Sequence, residues 1–129
     1  MKTSIAAGAI AGISLLLAGC GATNRGSQLD STPQSIPSNA QVVQVQATNW
    51  AWKLDKKLVK SGEPIDFQIT GMDGVHGFSI DGSGVSKQIV PGKTTNVVWT
   101  PSQPGTYIIR CNIYCGTGHD GMTTTFTVQ

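Results

Sequence analysis

The sequence predicts an all-β fold, an antiparallel β-sandwich, on three observations. Apolar and polar residues alternate over short runs, the two-residue period of a half-buried strand. Gly- and Pro-containing turns separate those runs. After residue 40 no stretch sustains a helical period.

Val43, Val45 and Ala47 alternate with Gln44 and Gln46 and open the fold. Trp50, Trp52 and Leu54 alternate with Ala51 and Lys53, and the run Lys60-Ser61-Gly62-Glu63-Pro64 then turns the chain. Ile65, Phe67 and Ile69 alternate with Asp66, Gln68 and Thr70. Phe78 and Ile80 continue the pattern beyond a loop that carries His76. Pro91-Gly92-Lys93 is the next turn, after which Val97 and Trp99 alternate with Asn96 and Val98. Pro101 to Gly105 turns again, and Tyr107, Ile109 and Cys111 alternate with Ile108 and Arg110. Phe126 and Val128 close the chain on a last strand. A domain over residues 41–129 has a modest core. A ligand that binds only the folded form would add to its stability.

The N-terminus predicts export rather than fold. Met1-Lys2 is a short basic start, and an apolar run follows from Ile5 to Ala18. With Leu17-Ala18-Gly19-Cys20 at its end, residues 1–19 form a lipoprotein signal peptide, with Cys20 as the lipidated mature N-terminus. Stable anchoring needs more than one acyl chain. Residues 20–40 are rich in Ser, Thr, Gln, Asn, Pro and Gly and read as a flexible tether. The expected location is the extracytoplasmic face of a bacterial membrane, with contact to the membrane through the N-terminal lipid. No apolar run is long enough to span a bilayer as a helix.

Composition excludes several function classes. The formal net charge is only +2 over 129 residues, so nothing points to nucleic acid. Lys53, Lys56, Lys57 and Lys60 form a loose basic cluster, read as a solvated face. Asp55, Glu63, Asp66 and Asp120 offer no carboxylate pair for acid–base work, and no Ser/His/Asp order suggests a hydrolase. No catalytic residue is expected.

The chemistry sits in Cys111-Asn112-Ile113-Tyr114-Cys115-Gly116-Thr117-Gly118-His119-Asp120-Gly121-Met122. Two thiols, an imidazole and a thioether follow at spacings of four, four and three. Soft and borderline donors of this kind favour copper, and His76 supplies a second imidazole. A mononuclear blue-copper site needs two His, one Cys and a weak axial Met, so this set has one thiol in excess. Two thiolates could instead bridge two coppers. A disulfide between Cys111 and Cys115 is the metal-free alternative in an oxidising compartment. It leaves His76, His119 and Met122 without a role.

The pattern Cys111-x3-Cys115-x3-His119-x2-Met122, with His76 upstream, resembles the dinuclear copper A domain of cytochrome c oxidase subunit II. Nitrous-oxide reductase carries a similar domain. Pro104-Gly105-Thr106-Tyr107 running into Cys111 is similar to the approach to the ligand loop in cupredoxins. The run Cys111 to Gly116 looks closest to the divergent, small-subunit branch of haem–copper oxidases. The resemblance spans about residues 41–129 and implies a cupredoxin-like, Greek-key antiparallel β-sandwich. It implies two copper ions, with Cys111 and Cys115 as bridging thiolates. His76 and Met122 would complete one metal, and His119 with the backbone carbonyl of Ile113 the other. Trp50, in Trp50-Ala51-Trp52, partly matches an aromatic run whose first Trp is implicated in taking up electrons. Alternating aromatics also pack sandwiches, the reading preferred for Trp52 and Trp99.

Three departures stand beside the resemblance. Subunit II usually has membrane-spanning segments, where this chain has a lipoprotein signal. Many of its members carry Glu at the position of Ile113, and the larger second domain of nitrous-oxide reductase has no counterpart. The expected function is a membrane-tethered electron carrier, passing single electrons from a cytochrome c-type donor to a haem–copper oxidase or similar acceptor. The alternative is an extracytoplasmic copper storage or delivery protein.

Overall fold

The computed structural model describes residues 33–129. The expected signal peptide, Cys20 and the first part of the expected tether lie outside the described residues. Nine strands follow in order: β1 Gln41–Thr48, β2 Ala51–Leu54, β3 Leu58–Val59, β4 Ile65–Gly71, β5 His76–Ile80, β6 Val85–Ile89, β7 Thr94–Trp99, β8 Gly105–Cys111 and β9 Thr123–Val128. They form a four-stranded sheet ordered β2-β1-β4-β7 and a five-stranded sheet ordered β3-β9-β8-β5-β6. The expected all-β sandwich is what forms.

Two strand pairs depart from the antiparallel expectation. β1 pairs with β4 in parallel, and β3 pairs with β9 in parallel. The cause is a strand that changes sheets. Residues 51–59 descend in one direction, first as β2 beside β1, then, after a break at Asp55–Lys57, as β3 beside β9. That descent returns the chain to the starting end of β1, so β4 must run alongside it.

Alternation sets which side chains enter the core. Val43, Val45, Ala47, Ile65, Phe67, Ile69 and Val97 come from one sheet, and Phe78, Ile80, Ile89, Ile109, Phe126 and Val128 from the other. Phe67 sits between Phe78 and Phe126, with ring centroids 5.4 and 5.5 Å away, in edge-on or tilted contacts that aromatic quadrupoles favour. Trp99 packs edge-on against Tyr107 and Phe126, the packing role expected of it.

The last described part of the expected tether is ordered against the domain. The Gln34 side-chain amide donates to the carbonyl of Val98 and accepts from its N–H, both at 3.1 Å. An amide side chain thereby satisfies backbone groups of β7, an outer strand of its sheet. The turn at Asn49–Trp50, the loop Met72–Val75 and the loop from Asn112 to Met122 all lie at one end of the sandwich.

Candidate metal centre

His76 is the first residue of β5 and is fully buried. Its Nε2 lies 2.7 Å from the carbonyl oxygen of Asp73. That contact orients the ring and assigns the proton to Nε2, as the outer partner of a ligating histidine does. Nδ1 is left buried with no hydrogen-bond partner. An orphaned buried nitrogen is costly unless something else occupies its lone pair.

Cys111 ends β8, buried, and Cys115 sits half-buried on the loop that follows. Both are free thiols, with Sγ atoms 3.4 Å apart. One ligand atom each from His76, Cys111 and Cys115 fall within 4.8 Å of one another. The Ile113 carbonyl lies 3.1 Å from Cys111 Sγ. His119 Nδ1 is 3.6 Å from Cys115 Sγ, and the thioether of buried Met122 is 3.8 Å from it. The six groups that the sequence nominated therefore converge, from one strand start, one strand end and one loop. Three sulfurs, two imidazoles and a carbonyl make a donor set suited to copper, and the unpartnered His76 Nδ1 fits a metal ligand.

Burial shapes the thiol chemistry. Loss of solvent, and then the neighbouring Cys111 thiol, push the Cys115 thiol up to about 11 from its ordinary 9.0. Without a metal Cys115 holds its proton, and a metal must displace it.

The rest of the cradle is packing around these atoms. Gly77 donates its N–H toward Cys111 Sγ at 3.5 Å and accepts from Asn112 N–H at 3.1 Å. A Cβ at Gly77 would collide with Asn112 Oδ1 and lie 2.8 Å from Ile113 N, so only glycine lets β5 come this close to the ligand loop. A short 3-10 turn at His119–Gly121 bends the loop so that His119 and Met122 both turn inward.

Two tryptophans hold the loop from the β1–β2 side. Trp52 is buried, and its Nε1–H donates to the Met122 carbonyl at 3.2 Å. Its ring meets His76 edge-on at 6.0 Å. Sequence reasoning assigned Trp52 to packing alone; the alternation that buried it carried no sign of this hydrogen bond. Trp50, read as part of a strand, instead lies exposed in the turn before β2. Its Nε1–H donates to the Cys115 carbonyl at 2.9 Å. Its ring lies on Gly118, where a Cβ would come within 2.5 Å of it. Tyr114, largely exposed, covers His119 with ring centroids 5.5 Å apart. Neither the Asp73 carbonyl nor Tyr114 was picked out from the sequence.

Comparison with known proteins adds to this geometry. A profile of the family described as "Cytochrome C oxidase subunit II, periplasmic domain" matches residues 34–128. Cytochrome c oxidase subunit 2 of Thermus thermophilus is 36% identical over 91 residues, covering 70% of this chain and 67% of the relative. The same subunit of Synechocystis sp. is 29% identical over 119 residues, covering 85% of this chain and 35% of the relative. The chain thus spans about a third to two thirds of the length of these curated relatives. Among solved structures, the periplasmic domain of subunit II of cytochrome oxidase from Bradyrhizobium japonicum matches with a TM-score of 0.64 at 19% identity, over 74% of this chain and 88% of that one. Auracyanin B matches with a TM-score of 0.58 at 17% identity, over 74% and 93%. These two share its fold.

Proposed function

The chain belongs to the family of cytochrome c oxidase subunit II periplasmic domains, and on that premise we propose that it is a one-electron carrier built around a dinuclear copper A centre. One observation carries the proposal: buried His76 Nδ1 has no partner of its own beside two free thiols 3.4 Å apart. Cys111 and Cys115 would bridge both coppers as thiolates. His76 and Met122 would complete one metal, His119 and the Ile113 carbonyl the other. When bound, such a pair takes up and returns a single electron shared across both metals.

The protein's own part is to keep those donors still. His76 is held by Asp73, Met122 by Trp52 through its carbonyl, and Cys115 by Trp50 through its carbonyl. Ligands on strand ends and a pinned loop resist rearrangement when charge changes, which suits electron transfer. A storage or delivery protein instead needs ligands that move readily, and the pinned loop argues against that reading.

Trp50 covers the loop from solvent and is the proposed electron-input residue. It belongs to an apolar rim. Trp50, Met72, Val75 and Tyr114 are four of the seven exposed large hydrophobic residues among the described residues, and all lie on loops of this end. Asp73 and Asp120 are the only carboxylates on those loops, and Lys and Arg are absent from them. This surface is proposed to receive a cytochrome c-type donor, with a haem–copper oxidase as acceptor. The domain is proposed to work outside a bacterial membrane, held by lipid at Cys20.

Electron paramagnetic resonance of the copper-loaded, partly oxidised protein tests the centre. The expected signal is one electron coupled to two copper nuclei, with two copper ions per chain by metal analysis. Cys115→Ser should abolish that coupling. An isolated single-copper spectrum, or rapid copper loss to a chelator without stable one-electron cycling, would favour the delivery reading instead.

A further inference from the structure

We propose that the edge of the five-stranded sheet around Leu58 docks on an anionic lipid surface. β3 is the outer strand of that sheet. Its first residue, Leu58, is 53% exposed, although its neighbour Val59 is buried in the core. Lys56, Lys57 and Lys60 flank it, and all three are exposed. The two-residue period places Lys56, Leu58 and Lys60 on the same outward face. Together with Lys53 these make four of the seven Lys and Arg side chains among the described residues.

Asp55 and Glu63 offset part of that charge, leaving four lysines against two carboxylates over residues 53–63. Asp55 is engaged with the Gln44 N–H at 2.8 Å, and Glu63 lies 3.9 Å from Lys60 Nζ at the exposed surface. Lys57 Nζ donates to the Thr124 hydroxyl, a neutral partner, at 3.2 Å. Across the strand Leu58 faces Thr127, also uncharged. The result is an apolar tip within a ring of ammonium groups. Apolar side chains enter the headgroup layer while long basic ones reach its phosphates, so the chemistry matches an anionic membrane.

The same features disfavour a protein strand as occupant. β3 pairs over only two residues and is flanked by lysines, both devices that discourage a further strand from adding to an edge. Lys60 N–H donates to Gln41 Oε1 at 2.8 Å, and Gln41 Nε2 donates back to the Lys60 carbonyl at 3.1 Å. Gln41 opens β1 and sits beside this patch, while the preceding described residues meet the sandwich at β7 through Gln34. The metal loops lie at the opposite end of the strands, and lipid docking leaves them open. The inference depends neither on copper nor on acylation of Cys20.

Hydrogen–deuterium exchange on the copper-loaded full chain tests it. The protein is mixed with vesicles rich in phosphatidylglycerol, or with phosphatidylcholine vesicles alone. Exchange at residues 56–60 should slow on the anionic vesicles only, and high salt should reverse the effect. Each Lys→Gln change at 56, 57 or 60 should cut the protection by about fivefold. Leu58→Ser should weaken it with the charges intact, while the copper signal shows the fold is retained. Equal protection on both vesicles, or protection on neither, would overturn the proposal. So would protection that appears only when an oxidase complex is added, because the occupant would then be protein.

Discussion

The indole N–H of Trp50 donates to the backbone carbonyl of Cys115 across 2.9 Å, although the two residues are 65 positions apart. The contact joins an exposed tryptophan of the metal end to the centre of the ligand loop. Trp50 thereby holds the loop in place, and under the proposed function it would also pass electrons in from the surface.

Trp50→Phe separates those two duties. The ring still covers Gly116 and Gly118, so copper content and spectrum should persist. Reduction by a cytochrome c-type donor should slow, because the hydrogen-bonded step from the indole to the Cys115 carbonyl is gone. Stopped-flow kinetics with the two proteins checks this, and an unchanged rate would remove Trp50 from the path.

Trp52→Phe should act on the ligands instead. It deletes the donor to the Met122 carbonyl and shrinks the ring against His76. The expected cost is about 0.5–1.5 kcal/mol by denaturant titration, because the Met122 carbonyl loses one of its two donors and keeps the Cys111 N–H at 3.1 Å. A shift in reduction potential should accompany it, which loss of packing elsewhere in the core would not cause.

Gly77→Ala should be among the most damaging single changes. The new methyl has no room against Asn112 and Ile113. Forcing β5 and the ligand loop apart should cost on the order of 1–3 kcal/mol and weaken copper retention. Thermal melting with and without copper checks both effects.

The metal-free protein should show a reluctant thiol. With the folded Cys115 raised to about 11 from 9.0, its alkylation rate should keep climbing toward pH 11. The sign for stability follows. Between about pH 9 and 11 the unfolded chain has lost a proton that the fold retains, so this contribution is full below 9 and disappears as pH rises. Copper uptake releases that proton, and apparent affinity should therefore increase with pH.

Donor docking should respond weakly to salt. The rim formed by Trp50, Met72, Val75 and Tyr114 has Asp73 and Asp120 on its loops and exposed Lys93 on the adjoining β6–β7 turn, so its net charge is small. Steering by opposite charge would give a steep fall in rate as the Debye length shrinks from about 30 to 8 Å. A change of less than about threefold over that range is expected from stopped-flow measurements.

Much of the fold was legible because burial follows chemistry along each strand. Val43, Val45 and Ala47, then Ile65, Phe67 and Ile69, face inward as their alternation requires. β3 and β6 were not legible. β3 has only two paired residues, and in β6 the run Ser86, Lys87 and Gln88 is exposed throughout. The parallel pairs were hidden for another reason: pairing partners depend on where the chain crosses between sheets, and no local pattern reports that. Alternation also drew Trp50 into a strand, whereas the chain turns at Asn49–Trp50.

The order of Cys, His and Met along one loop, with a single upstream histidine, determined by itself which atoms could meet a metal. Donor type is a property of each side chain, and a spacing of a few residues already keeps those donors close. Tertiary structure alone decided what holds them: the Asp73 carbonyl on His76, the Trp52 and Trp50 indoles on the loop backbone, and the closeness of Gly77 to Asn112. Those partners are backbone groups or flat packing surfaces from distant segments. Every residue has a carbonyl, and only folding selects which one a given side chain will reach.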